Sequence, residues 1–238
     1  MSQPLISIIT VVRNAPQALA KTIQSVQAQT YPNIEYVVVD GLSTDQTPEV
    51  IRQYSSRIQT WVSEKDKNLY DAMNKGLKLS TGEFVWFLHA GDIIPTPQTL
   101  ERAFKNYQNQ DLIYGEAKVV QTDGSLRAWH KKTPHTLSWH SFEQGMIVCH
   151  QSMILRRAAA ELYDLRWVLA GDIDWCLRSL RNVHQSLYVG EDLCHFAAGG
   201  LSSKRKKASL LERFRILKSH FGLVKTLWIH LKIALKIN

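Results

Sequence analysis

Cysteine is scarce in this chain: Cys149, Cys176 and Cys194 are odd in number and lack metal-like spacing. A disulfide framework is therefore not expected, and a reducing compartment is the simpler setting. Cys149-His150 and Cys194-His195 do not suggest zinc, because adjacent residues on an extended strand face opposite ways. Long apolar runs are also missing, and no stretch stays free of charge for the ~18 residues that a spanning helix requires. The first four residues offer neither a basic segment nor a small-residue cleavage site. The apolar run after them reads as a core strand rather than an export signal. No internal repeat or low-complexity tract interrupts the 238 residues, which suffice for one large domain or one domain with an appendage.

Acid is missing where base is dense. Residues 204–238 hold ten Lys or Arg against the single acid Glu212, a net of +9, while the whole chain carries +8. The first 203 residues are thus near neutral, which argues against a nucleic-acid partner and for a basic attachment segment. Within it, Leu210, Phe214, Leu217, Phe221, Val224, Trp228, Leu231 and Leu235 alternate by fours and threes, one face of a helix. Lys218, Lys225 and Lys232 run beside that stripe, and Gly222 divides it into two helices. We expect two units, 1–203 and 204–238. The tail is expected to lie on an anionic membrane surface, with Trp228 and the lysines at the interface. The alternatives are packing on the chain's own body or on a second copy, a homo-oligomer.

The body shows a repeated pattern. Phe84-Val85-Trp86-Phe87-Leu88 is apolar on both faces and ends in His89-Ala90-Gly91-Asp92. Ile6 to Val12 runs likewise into Arg13-Asn14, and Tyr36 to Val39 into Asp40-Gly41. Helical patterns separate these runs, the first through Ala18, Ile23, Val26 and Ala28. Strands alternating with helices imply right-handed βαβ units and an α/β fold with a mostly parallel sheet. Ligands of such sheets bind beyond the carboxyl ends of the strands, where Asp92 stands. On residue chemistry alone, Asp92 equally suits a turn or a helix cap. A carboxylate cluster, Glu64, Asp66 and Asp71, follows a third strand at Thr60-Trp61-Val62 and suits hydrogen bonding to a base or ribose. Asp71 and Lys75 are spaced for a surface ion pair.

Four segments taken together resemble family 2 glycosyltransferases, in particular those of bacterial polysaccharide and lipid-linked oligosaccharide assembly. They are Pro4 to Asn14, Val37-Val38-Val39-Asp40-Gly41-Leu42-Ser43-Thr44-Asp45-Gln46-Thr47, Asp66 to Gly76, and Phe87 to Asp92. The resemblance covers roughly residues 4–202. It implies a GT-A fold and transfer of a sugar, with inversion, from a nucleotide-diphospho-sugar to a saccharide acceptor, expected to be lipid-linked. By the same match Thr10, Arg13, Asn14, Asp40, Asp66, Asp71 and Asn74 bind the donor. Asp92 corresponds to the last acid of the metal motif, where Mg²⁺ or Mn²⁺ neutralises the departing diphosphate. Asp172 in Gly171-Asp172-Ile173-Asp174 corresponds to the base that deprotonates the attacking hydroxyl, and His150-Gln151 to an acceptor-side dipeptide.

The departures are local. His89 stands where the metal motif has an acid, and a contact with the donor is its first expected role, ahead of ligating Mn²⁺. Asn68 replaces a usual Gly, which a left-handed turn would tolerate. Gly171 replaces a Glu, and on helix-dipole grounds Asp172 and Asp174 are hard to separate. Gly199 to Lys207 combines glycines with four cations and is expected to close over the diphosphate. A processive synthase is disfavoured, since Tyr163 stands where a Gln-x-x-Arg-Trp signature ending at Trp167 needs Gln. Two other classes stay open. A metal-dependent nucleotidyltransferase would usually carry a glycine-rich loop, which Val11 to Pro16 lacks, and a non-catalytic glycan-binding or nucleotide-sugar-binding module would not turn over. The expected location is cytoplasmic, peripheral on the inner face of the membrane.

Overall fold

The computed structural model describes residues 3–129, 131–199 and 205–235. Four parallel strands form the first half: β1 (Ile6–Val12), β2 (Ile34–Asp40), β3 (Thr60–Ser63) and β4 (Phe84–Phe87). Every residue of β1 and β4 is buried, as an apolar run covered on both faces requires. The second half adds β5 (Leu112–Val120), β6 (Leu126–Ala128), β7 (Met153–Arg156) and β8 (Ser186–Ala197). The strand order is β3-β2-β1-β4-β7-β5-β6, and β8 pairs in parallel with β5. β7 runs antiparallel between β4 and β5, so the sheet is mixed and the fold is α/β, in keeping with the GT-A fold that the resemblance implies. The expected turn at Thr122 to Ser125 joins β5 to β6, with Gly124 at φ +82°.

Helices cover both faces. They are α1 (Pro16–Gln27), α2 (Thr47–Gln53), α3 (Leu69–Leu79), α4 (Thr99–Ala103) and α5 (Gly171–Ser179). α1 starts on Pro16 and buries Leu19, Ile23 and Val26, spaced by four and three. Alternation along β1 sends Ile6 and Ile8 into one core and Ile9 and Val11 into the other. α3 opens on Asn68, whose side chain accepts from the Asp71 amide at 3.0 Å. Asn68 is extended (φ −162°), so the expected left-handed turn is not formed; capping rather than conformational freedom accounts for Asn here. β1 lies between β2 and β4, from which connections leave in opposite directions. This switch point opens a crevice beyond the strands' carboxyl ends.

The tail forms two helices, α6 (Lys206–Phe221) and α7 (Leu223–Leu235), divided at Gly222 with φ +80°. The regular stripe does not stay together. Leu217 is buried against the body and Phe221 stacks on Trp139 at 5.3 Å, with the Arg181 guanidinium over the same indole at 4.6 Å. Val224, Trp228, Leu231 and Leu235 stay exposed on α7, as does Leu210 on α6. The turn at Gly222 breaks the phase between the helices, so a one-helix periodicity is split between body and solvent. No described helix is long and apolar enough to cross a membrane.

Candidate active site

Two groups of polar side chains collect at the carboxyl ends of the parallel strands. The first follows β1, β2 and β3. Asp40 is fully buried, and its carboxylate accepts from the Ser43 amide and from the hydroxyls of Ser43 and Ser63. Gly41 keeps the next position open: a Cβ there would lie 2.8 Å from Asp66 Oδ2 and 3.4 Å from Arg13 Cδ. Asn14, at φ +51°, accepts from the Thr44 amide at 2.8 Å and donates its own amide to Ser43. Lys75 gathers the acids, lying 2.6 Å from Asp66 and 2.9 Å from Glu64. Asp71, at 3.9 Å, is its loosest partner and instead accepts from the Lys67 amide at 3.0 Å. The expected simple i,i+4 pair is thus a network centred on Lys75.

Three of the expected donor-side residues have their polar atoms committed within the protein. Thr10 is fully buried and its hydroxyl bonds that of Tyr36 at 3.0 Å. Asn74 clamps the Tyr163 backbone, donating to its carbonyl at 2.9 Å and accepting from its amide at 2.7 Å. Asp40 is saturated by the serines. Of the other expected donor-side residues in this group, Arg13 and Asn14 are exposed, and Asp66 and Asp71 are partly exposed.

The second group lines a cavity of about 600 Å³. Here the structure brings together His89 and Asp92 after β4, His150 and Gln151 before β7, and Asp172 at the start of α5. α3 separates the two groups and contributes Leu69, Tyr70 and Met73 to the cavity wall. Asp92 closes a turn, its amide donating to the His89 carbonyl at 2.9 Å, with Gly91 at φ +102°. Its carboxylate accepts from the His89 amide at 2.8 Å, and Gln151 donates to it. Burial pushes this carboxyl up to about 7. His89 Nε2 lies 3.2 Å from His150 Nε2, so one ring donates to the other. Burial pushes His89 down to about 4 and His150 to about 3, which keeps both imidazoles neutral near pH 7. His89 Nδ1 is buried without a hydrogen-bond partner among the described residues.

Asp172 lies on the other flank, with His150 Nδ1 3.8 Å from its Oδ2. Burial pushes Asp172 up to about 6, against the Ile173 amide and the Arg213 charge, which pull it down. A carboxylate poised there can accept a proton near neutral pH. Asp174 is held differently: it is buried, 2.8 Å from Arg178 and 2.9 Å from His220, and its carboxyl is kept low. Geometry therefore separates two acids that the helix dipole treats alike.

Several lining residues escape sequence reasoning. Tyr70 packs beneath α5, and Gly171 exists for that contact: a Cβ would lie 2.8–3.0 Å from the Tyr70 ring. Gly171→Ala should therefore cost about 1–3 kcal/mol and displace Asp172, read as a lowered Tm with reduced turnover. Behind Tyr70, rings of Tyr163 and Trp175 stack at 5.2 and 5.1 Å, with Phe87 edge-on, making a rigid floor. Arg127, Trp129 and Phe196 line the opposite wall. Glu212 on α6 accepts with one oxygen from the amides of Val168, Leu169 and Ala170, at 2.9, 2.8 and 2.8 Å. Its being the tail's single acid was the only sequence signal. Gly200 to Lys204, part of the segment expected to close over a diphosphate, lie outside the described residues.

Comparison with known proteins gives a consistent picture. The family described as Glycosyl transferase family 2 matches residues 7–163. An uncharacterized glycosyltransferase of Mycobacterium tuberculosis is 29% identical over 224 residues, covering 90% of this chain and 83% of the relative. A PGL/p-HBAD biosynthesis glycosyltransferase of Mycobacterium bovis is 30% identical over 191 residues, covering 76% and 72%. Among solved structures, S. aureus TarS 1-349 in complex with UDP-GlcNAc superposes with a TM-score of 0.72 at 19% identity, covering 91% of this chain and 66% of that one. The mannosyltransferase PcManGT from Pyrobaculum calidifontis, in complex with GDP-Man and Mn²⁺, gives 0.69 at 18% identity, covering 99% and 72%. At these identities the structural likenesses speak for the fold.

Proposed function

This chain belongs to glycosyl transferase family 2, and from that premise we propose that it moves a sugar, with inversion, from a nucleotide-diphospho-sugar to a lipid-linked saccharide at a membrane surface. One observation carries the reading: a single cavity holds Asp92 at the end of a parallel strand and Asp172 at the start of a helix 80 positions on, both carboxyls raised by burial. Arg13, Asn14, Asp66 and Asp71 form a donor rim that holds the nucleotide. Asp172 removes the proton from the acceptor hydroxyl as that oxygen attacks the anomeric carbon and the nucleoside diphosphate leaves. The neutral His89–His150 pair orders the cavity between the two acids and bonds sugar hydroxyls.

Two residues would hold a divalent cation, and no group of three or more His, Cys, Asp or Glu able to do so meets among the described residues. Asp92 is a buried carboxylate without a cationic partner among the described residues, and His89, whose amide donates to it, has a buried Nδ1 without a partner among them. A carboxylate with neutral imidazole suits Mn²⁺ better than Mg²⁺, with donor phosphates completing the shell. Bound there, the ion would supply charge neutralisation for the leaving diphosphate. Nucleoside diphosphate release from nucleotide-sugars should require Mn²⁺ or Mg²⁺ and stop on chelation. Asp92→Asn, which keeps an acceptor for the His89 amide, should lose that requirement together with most activity. Full activity of the parent in a chelator sinks the metal assignment, and release of pyrophosphate instead indicates nucleotidyl transfer.

The exposed apolar residues of α7, with Lys225 and Lys232 beside them, support attachment to an anionic membrane. Trp228→Asp with Leu231→Asp should lower co-sedimentation with phosphatidylglycerol vesicles at unchanged Tm. Equal sedimentation of both proteins would remove the membrane from the proposal.

A further inference from the structure

A second cavity, of about 330 Å³, lies between the body and the tail helices. Lys131, Gln144, Leu210, Arg213, Leu217 and His230 line it, so two fixed cations and a histidine face it, with no carboxylate among the described lining residues. Lys131 is partly buried and its ammonium donates to one backbone carbonyl, that of Gln144, at 2.9 Å. Its pKa is pushed down by burial and then by the neighbouring Arg213 charge. Arg213 carries five N–H donors, yet no hydrogen bond or ion pair from it is made to any described residue. The backbone is shaped to admit it: Gly145 has φ +86°, and a Cβ there would collide with the Arg213 guanidinium.

Like charges brought close in a partly buried cavity oppose each other, so the pair favours a counter-charge. Among the described acids nearby, Asp172 feels the Arg213 charge without forming an ion pair, and the others are committed. Glu143 binds Lys225 and His140, Glu212 binds three amides, and Asp174 binds Arg178 and His220. His230 donates Nδ1–H to the Thr226 carbonyl at 2.8 Å, which leaves Nε2 uncommitted. That leaves room for the counter-charge of a ligand, and a planar guanidinium beside an ammonium matches the oxygens of a phosphate.

We infer that Lys131 and Arg213 form a binding site for a phosphate group, such as the one that joins a lipid to its saccharide or head group. The cavity is separate from the donor rim, and the charge of Arg213 reaches Asp172, which places the phosphate on the side of the proposed base. That placement rests on the transferase reading; binding of phosphate does not. The exposed apolar side chains of Leu210 and the α7 helix would adjoin the lipid of such a ligand.

Thermal unfolding of the full chain tests this against Lys131→Gln with Arg213→Gln, titrating inorganic phosphate, dihexanoyl phosphatidic acid, and dihexanoyl glycerol as the phosphate-free control. Phosphate held at the donor rim stabilises parent and variant alike, so the difference between them reports this cavity. The half-saturating concentration of a phosphate-bearing probe should rise about tenfold or more in the double variant, and in Lys131→Gln alone if the double variant folds poorly. A response to inorganic phosphate equal to that of phosphatidic acid identifies the free anion as sufficient. A response to phosphatidic acid alone identifies a lipid-borne phosphate. Equal titrations of parent and variants, or no stabilisation of the parent by either probe, overturn the site. Nucleoside diphosphate release is scored separately, so failure of the transferase reading leaves this result distinguishable.

Discussion

Asp172→Asn is expected to lower sugar transfer by about 10²–10⁴-fold while leaving nucleotide-sugar binding intact. The substitution keeps the size of the side chain and its place at the start of α5, but removes the proton acceptor. Because burial holds this carboxyl near 6, the parent should lose activity as pH falls through that value, about tenfold per unit below it. The sign follows from the role: the base works deprotonated, so protonation at low pH removes it. Asp174→Asn provides the contrast. That side chain is tied to Arg178 and His220, so its loss should appear as a lowered Tm. A fully active Asp172→Asn alongside an inactive but folded Asp174→Asn would move the base to the second acid.

Glu212→Ala should be the most damaging change in the tail, with a stability loss of about 2–3 kcal/mol from amides left without their charged acceptor. These amides belong to residues 168–170, immediately before Asp172, so the loop that fixes the base would also shift. Turnover should fall by as much as about 10²-fold, since misplacement of roughly 1 Å costs that much. Glu212→Gln, which keeps an acceptor oxygen without the charge, should restore part of both. Tm together with kcat and KM decides the matter: a fall in Tm with unchanged kcat would limit Glu212 to a structural role. The tail is thereby linked to the proposed base through one carboxylate, whatever surface α7 meets.

The sequence made the first half of the sheet legible because those strands are covered on both faces and read as unbroken apolar runs. Their ends pointed to Asp92 by the same logic, and Gly222 announced the division of the tail. The individual partners were not legible. Nothing local announces that the Thr10 hydroxyl accepts from Tyr36 or that the Asn74 amide clamps Tyr163. The stripe on α6 and α7 misled for a related reason. Periodicity records which residues share a helical face, but not whether one partner covers that face along its whole length.

The sequence by itself determined the α/β class, the strand ends at which polar chemistry collects, the family resemblance and the basic character of the tail. These depend on local alternation, turn residues and net charge, which survive in a linear string. Only the tertiary structure decided which groups meet: His89 with His150, Asp172 apart from Asp174, Glu212 on the loop before the proposed base, and Lys131 beside Arg213. The physical reason is that burial and pairing set the protonation and the committed hydrogen bonds of a side chain. Both are created by residues tens of positions away, which only folding brings into contact.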